Sequence, residues 1–184
     1  MYLGELTRHI LLDATERKIL FDGSAVALDI LRQSEVFQTR HISQIESDVA
    51  GEYYWCREVM AELGLGSVSS HYDCVLLKYI CQCVAIRASL LAAAGVAALL
   101  NKMGRRSVTV GMDGSLYKFH PHFQVNLKHN QFILSRRFLQ SRMTMKIRDL
   151  VDKSIHFQLF LSEDGSGKGA GLAAAVAAST CSTG

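Results

Sequence analysis

The sequence predicts an α/β domain, and three features support this fold class. Apolar residues recur at helical spacing in the N-terminal half, which indicates several amphipathic or buried helices. Two apolar runs of strand length, Val108–Val110 and Phe157–Leu161, are each followed closely by an Asp-Gly pair. An alanine-rich and glycine-rich stretch after the second run fits a closing helix. The order of helices, strand, hairpin, helix, strand and helix is typical of half of an α/β sheet domain.

Three helices are predicted in the first third of the chain. The first carries apolar residues at helical spacing and ends before the break at residues 21–24; its apolar positions are Leu3, Leu6, Ile10 and Leu11. Thr39 is the predicted N-cap of a short helix through Ile42 and Ile45. A third helix is expected over residues 52–63, because Gly64 and Gly66 follow it.

A long helical stretch is predicted from about Tyr72 to Met103, as one helix or as two abutting buried helices. It contains no proline and a single glycine, and small residues dominate it. Its apolar run from Ala88 to Leu100 is shorter than the roughly twenty residues that a bilayer span requires. We therefore expect a core helix and no transmembrane segment. Gly104 should end the helix.

The two glycine turns are candidates for phosphate binding. Gly114 and Gly165 lack a Cβ, so their backbone amides can approach an anion closely. Ser115 and Ser166 can donate hydroxyl hydrogen bonds, and the amides of residues 167–169 would open the last helix. Residues 115–119 could return as the second strand of a hairpin. Either turn alone is more simply a tight connection, but the two together indicate a nucleotide site. The segment does not match the Walker A pattern.

Composition excludes several classes of protein. A net charge of +3 is too small to imply a nucleic-acid partner. The five cysteines form no C-x-x-C ladder, and Met1 leads directly into a mixed polar and apolar pattern rather than a secretory leader. These features predict reduced thiols and a cytoplasmic location.

No metal site is predicted. Cys81 and Cys83 lie two apart on the long helix and should point to different faces, so core thiols are favoured over a ligand pair. His120 and His122 flank Pro121 without a third ligand, so structural imidazoles are favoured there.

Four blocks of the sequence resemble the eukaryotic hexokinase family, and they occur in the order found in that family. The blocks are Met-Tyr-Leu-Gly-Glu-Leu-Thr-Arg-His-Ile-Leu-Leu at 1–12, Phe-Gln-Thr-Arg-His-Ile-Ser-Gln-Ile-Glu-Ser-Asp at 37–48, Gly-Met-Asp-Gly-Ser-Leu-Tyr-Lys-Phe-His-Pro-His-Phe at 111–123, and Leu-Ser-Glu-Asp-Gly-Ser-Gly-Lys-Gly-Ala at 161–170. The resemblance implies an actin-like ATPase (ribonuclease H-like) fold, with residues 1–184 forming the C-terminal portion of an incomplete, helix-rich large lobe. It also implies ATP-dependent phosphorylation of a hexose such as glucose, with ATP bound as its Mg²⁺ complex.

The resemblance further implies the residues of the site. Nucleotide contacts would fall on Thr39, Arg40, Ser43, Gly114, Ser115, Leu116, Tyr117, Lys118 and Phe119. Contacts on the phosphate and sugar-phosphate side would fall on Asp113, Gly114, Ser115 and Ser166. Without the resemblance, Thr39 is more simply a helix cap and Arg40 a solvated surface charge.

No catalytic residue is assigned within the chain. In the family, a glycine-rich phosphate loop, the general base and the hexose-binding residues precede the block that begins here at Met1. We therefore expect little or no hexose kinase activity from these residues alone, with hexose binding only when that part is supplied. The alternative is a non-catalytic regulatory or interaction domain derived from a hexokinase. Self-association is expected through the uncovered sheet edge beside Val108–Met112.

Residues 124–155 depart from the family as a basic insertion. They hold seven Lys or Arg and two Asp, a net charge of +5. A site for an anionic partner is one interpretation. A solvated or partly disordered insertion is favoured, because the segment contains only two aromatic residues, Phe132 and Phe138.

Overall fold

The structure is a computed structural model that describes residues 2–49, 51–112, 143–161, 167–168 and 170–172. The chain divides into two compact units, Met1–Ala92 and Ala93–Gly184. The division falls within one long helix, and each unit is described by itself below.

The described part of the first unit is helical. It contains α1 (Tyr2–Glu16), a 3₁₀ turn (Phe21–Gly23), α2 (Ala25–Leu31), α3 (Thr39–Glu46), α4 (Tyr54–Glu62) and the start of α5 (His71–Met103). Apolar side chains from all five helices form one core, which includes Leu11, Leu31, Phe37, Ile42, Ile45, Met60 and Leu77. Burial of this shared face, rather than helix propensity alone, stabilises such short helices.

The predicted helices of this unit are confirmed with small shifts. Helix α4 begins two residues later than expected, and Gly64 follows it with a positive φ of 77°. The N-cap prediction for Thr39 is wrong, because Gln38 caps α3 and Thr39 is its first helical residue. Gln38 has the extended backbone that an N-cap requires, so the N-cap lies one residue earlier than predicted.

Helix α5 is continuous over 33 residues, which decides between the two alternatives left by the sequence. Gly104 ends it with a φ of 59°. Among the described residues, α5 is long and apolar enough to cross a membrane by length and composition. The apolar run of Ala88 to Leu100 is therefore too narrow a limit, since Arg87 is the only charged residue between Tyr79 and Leu100. One such helix is weak evidence for a membrane span, because core helices of soluble proteins can have the same length and apolar composition.

The second unit contains a parallel pair of strands, β1 (Ser107–Met112) and β2 (His156–Leu161). Residues 143–150 form a further helix, α6, on the connection between them. Parallel strands require such a crossover, because a tight turn cannot reverse the chain twice. Residues of the C-terminal end of α5 and of α6 form the core beside the sheet, namely Ala93, Ala97, Leu100, Met143, Ile147 and Val151.

Both predicted strands are confirmed, but they are less buried than the sequence suggested. Burial alternates along each strand, with Val108 and Val110 half-buried on β1, as for a sheet that is covered on one face. Phe160 on β2 is 65% exposed. Residues 167–168 and 170–172 are helical, which agrees with a final helix opening near Gly167. The predicted hairpin strand, residues 115–119, lies outside the described residues.

The described part of the basic segment contributes to the core. Met143, Ile147 and Val151 recur at i, i+4 and i+8 and are buried, so this stretch is amphipathic and one of its faces packs into the core. The expectation of a solvated or partly disordered insertion is therefore wrong for residues 143–151. The status of 124–155 as an insertion stays a prediction.

Candidate functional site

The carboxyl ends of β1 and β2 lie side by side. The strands pair in parallel from Ser107 with His156 through to Met112 with Leu161. The chain therefore leaves both strands at the same edge of the sheet, the edge at which α/β proteins commonly bind ligands. The predicted phosphate-side residues Asp113, Gly114, Ser115 and Ser166 and the predicted nucleotide contacts Leu116, Tyr117, Lys118 and Phe119 lie outside the described residues.

A cavity in the first unit is lined by two of the other three predicted contacts, Thr39 and Arg40, whereas Ser43 is not part of its lining. Its volume is about 320 Å³, and its lining comprises Glu5, Glu35, Phe37, Gln38, Thr39 and Arg40. Thr39 and Ser43 lie one helical turn apart on α3 and are both half-buried. The Oγ1 atom of Thr39 accepts a hydrogen bond of 3.3 Å from the backbone N–H of Gly4. That N–H belongs to the first turn of α1, where backbone donors have no partner within the helix.

Arg40 is held by neighbouring polar groups. Its Nε atom donates to Oε1 of Gln38 at 2.9 Å, and a terminal nitrogen pairs with Oε1 of Glu62 on α4. The hydrogen bond from Arg40 lowers the pKa of Glu62. Arg40 is therefore a surface charge, as expected without the resemblance, with a side chain that is 55% exposed, but it is paired with Glu62 as well as solvated.

His41 is a buried residue of α3 beside this cavity, and the sequence did not single it out. Its Nδ1 atom accepts a 3.0 Å hydrogen bond from the backbone N–H of Gln38, and its ring meets that of Phe37 edge-on at 5.3 Å. Its Nε2 atom lies 3.6 Å from Oε1 of Glu62. Burial is the largest cause that lowers the pKa of His41, so the imidazole is held neutral. The signal was present in the sequence, because Gln38 and His41 have the spacing of a capping box.

A larger cavity of about 580 Å³ lies in the second unit, at the amino ends of the strands. Its lining includes Ser107 and His156, together with Arg148 and Lys153. This is the edge of the sheet opposite to Met112 and Leu161. Across the described ranges, no group of three His, Cys, Asp or Glu side chains is arranged to hold a metal ion.

Comparisons with known proteins agree with the four sequence blocks. The hexokinase family model matches residues 1–176. A hexokinase from Schistosoma mansoni is 41% identical over 179 residues, which cover 97% of this chain and 35% of that protein. A hexokinase from Brugia malayi is 36% identical over 176 residues, which cover 96% of this chain and 27% of that protein.

Comparison with solved structures also finds a hexokinase. The structure of the hexokinase from Schistosoma mansoni complexed with glucose matches with a TM-score of 0.76 and 40% identity, over 93% of this chain and 34% of that one. The chain spans about a third or less of the length of the relatives described here. The predicted fold class is confirmed, since the helix-rich α/β architecture is consistent with the large lobe of the actin-like ATPase fold. The chain belongs to the hexokinase family.

Proposed function

We propose that this chain forms the nucleotide-binding part of an ATP-dependent hexose kinase. The single observation that carries the proposal is the parallel register of Met112 and Leu161, which are followed in sequence by the two Asp-Gly segments. Two glycine turns that begin at one sheet edge can offer several backbone amides to one phosphate chain. Phosphoryl transfer needs such positioning and charge neutralisation more than covalent chemistry.

The cavity beside α3 supports the proposal from the first unit. A volume of about 320 Å³ lies within the usual range for small-molecule pockets. Thr39 offers a hydroxyl group and Arg40 a guanidinium group, and these groups suit a ribose or a phosphate. ATP would be the substrate and would carry Mg²⁺ with it, because Mg²⁺ is commonly held by substrate phosphates and few protein oxygens.

Titration with a fluorescent adenine nucleotide in the presence of Mg²⁺ tests the nucleotide part of the proposal. We expect saturable binding that unlabelled ATP reverses by competition. Circular dichroism on the same sample shows that the protein is folded. A folded protein that shows no binding at millimolar nucleotide would contradict the proposal.

Hexose phosphorylation is tested separately, on the chain as it occurs in the cell. A coupled assay for glucose 6-phosphate should show turnover that depends on both ATP and the sugar. Nucleotide binding without any turnover in that protein would favour the alternative, a non-catalytic regulatory or interaction domain. Nucleotide binding thus tests the proposed nucleotide contacts, and turnover tests the reaction class.

A cytoplasmic location and self-association complete the proposal. Among the described cysteines, Cys56, Cys74, Cys81 and Cys83 are free thiols, which suits a reducing compartment. The exposed ring of Phe160 on β2 is the kind of apolar surface through which copies associate, and within the described residues the sheet has only two strands. Cell fractionation tests the location. Light scattering during gel filtration tests association, and a monodisperse monomer at all concentrations would contradict it.

A further inference from the structure

The amino-terminal turns of α1 lie directly against the segment that leads into α3. A Cβ atom added to Gly4 would lie 2.4 Å from the carbonyl oxygen of Phe37 and 2.7 Å from the backbone nitrogen of Thr39. Real Cβ contacts do not occur at such distances, so only glycine allows this approach. The Gly4 N–H also donates to the Thr39 hydroxyl. The position of Thr39 is therefore set by the backbone of α1.

Glu5, the next residue of α1, holds the loop that precedes this segment. Its Oε1 atom accepts a 2.6 Å hydrogen bond from the backbone N–H of Glu35, a residue with a positive φ of 63°. A non-glycine residue with such a φ needs support from its surroundings. The carboxylate of Glu5 supplies that support and also lines the cavity that contains Thr39 and Arg40.

Arg8, one turn further along α1, fixes Glu5 and the other end of the loop. Its guanidinium group donates to both carboxylate oxygens of Glu5, at 2.9 to 3.0 Å, and to the carbonyl oxygen of Leu31 at 2.6 Å. Arg8 is buried, so its hydrogen bond to Leu31 is shielded from water, and its charge-assisted hydrogen bonds to Glu5 are partly shielded. The loop between Leu31 and Glu35 is thus anchored to α1 at both ends.

We propose that the first two turns of α1 position Thr39 and Arg40 for nucleotide binding, with Gly4 acting by close approach and the Glu5–Arg8 pair by anchoring the loop. This inference rests on the proposed function. Gly4, Glu5 and Arg8 are positioning residues, because they act through the segment that they hold. None of them was assigned a role by the sequence analysis.

The central test is Gly4→Ala in the full chain, with Gly95→Ala as its matched control. A Cβ atom at Gly95 meets no atom within 4 Å, so the control makes the same chemical change without the clash. We expect Gly4→Ala to raise the Kd of a fluorescent adenine nucleotide about tenfold, and Gly95→Ala to leave it unchanged. Both are measured well below the melting midpoint of each variant.

A double-mutant cycle separates positioning from general loss of structure. If Gly4 acts through Thr39, Gly4→Ala combined with Thr39→Ala should raise Kd by less than the product of the two single effects. Glu5→Gln, with the exposed Asp13→Asn as control, provides a second variant if Gly4→Ala does not fold. We expect Glu5→Gln to raise Kd and Asp13→Asn to leave it unchanged.

The outcomes distinguish this inference from the proposed function. Wild-type protein that binds nucleotide, with variants of Gly4 and Glu5 that bind as tightly as their controls, would overturn the inference alone. Fully multiplicative effects in the cycle would also overturn it. A folded wild-type protein that does not bind nucleotide would overturn the proposed function, and this inference with it.

Discussion

Met112 and Leu161 are register partners at the carboxyl ends of two parallel strands. This pairing connects two segments that are nearly fifty residues apart in the sequence. Segments that follow adjacent parallel strands start from one edge of a sheet, and this is the physical basis of the proposed shared ligand site.

Arg40→Ala should weaken nucleotide binding. Loss of hydrogen bonds from a charged donor costs about 1.5 to 3 kcal/mol, which corresponds to roughly tenfold to hundredfold in Kd. Arg17→Ala is the matched control, since Arg17 forms an exposed ion pair with Asp13 on α1. Titration with a labelled adenine nucleotide measures both. Equal Kd values for the two variants would show that Arg40 does not contact the ligand.

His41 should make stability depend on pH. Burial lowers the pKa of His41 below its ordinary value of 6.5 in the folded protein. As the pH falls below about 6.5, the unfolded chain takes up a proton that the folded protein does not, so the free energy of unfolding falls. The decrease ends at the lower, folded-state pKa, below which both states are protonated. Protonated His41 would also lose the ability to accept the Gln38 N–H.

His41→Gln should remove this part of the pH dependence, because glutamine does not titrate. Urea unfolding between pH 5 and pH 8, a window chosen around the ordinary histidine pKa, gives the comparison with wild type. His156→Gln is the control, since His156 is exposed on β2. If the slope of the unfolding free energy against pH is the same in wild type and His41→Gln, His41 is not the titrating group.

Local sequence patterns predict the fold more completely than they predict the contacts of the site. Apolar spacing predicted α1, and the glycine after α4 predicted its end, because both signals lie within a few residues. The contact of Gly4 with Phe37 and the bond from Glu35 to Glu5 join positions about thirty residues apart. No local pattern specifies these contacts, since they depend on how the loop after α2 closes onto α1.

The N-cap of α3, which lies one residue before the predicted one, is a second case in which a tertiary contact overrides a local pattern. Thr39 is the stronger capping residue by statistics, yet Gln38 holds the cap position. The Thr39 hydroxyl is instead bonded to the N–H of Gly4, a tertiary contact that offsets its local preference. The competing interaction was invisible in the sequence because its partner lies in another helix.

Asp73→Ala should destabilise the first unit. The buried carboxylate of Asp73 accepts hydrogen bonds from the backbone N–H groups of Phe21 and Ser70, both at 2.7 Å, and from the Ser70 hydroxyl at 2.6 Å. It therefore joins the first turn of α5 to the 3₁₀ turn after α1. Removing it leaves the Phe21 N–H without its partner in a buried position, at a cost of about 2 to 4 kcal/mol.

Chemical denaturation measures this loss, with Asp29→Ala as the control. Asp29 is exposed, and its nearest ion-pair contact, with Arg32, is 3.6 Å long. We expect the control to change the free energy of unfolding by less than about 0.5 kcal/mol. A loss for Asp73→Ala no larger than that of Asp29→Ala would mean that the carboxylate does not hold the two turns together.

Thiol labelling should distinguish the two cysteines that lie two residues apart on α5. Cys83 is exposed, whereas Cys81 is buried, which confirms that they point to different faces but corrects the expectation that both are core thiols. Burial raises the pKa of the Cys81 thiol, and it does the same for Cys56 and Cys74, so all three are protonated and shielded. Because the thiolate is the reactive form, these three should react slowly in the folded protein.

The measurement uses a Cys181→Ser background, so that the labelled thiols all lie in the described part of the chain. Iodoacetamide under native conditions, followed by peptide mass spectrometry, should modify Cys83 first and the three buried thiols only after denaturation. Adding Cys83→Ser should remove the fast phase without changing the slow one. Comparable native labelling of Cys56 or Cys81 would show that the helical core opens more readily than its packing indicates, since a buried thiol reacts only when local unfolding exposes it.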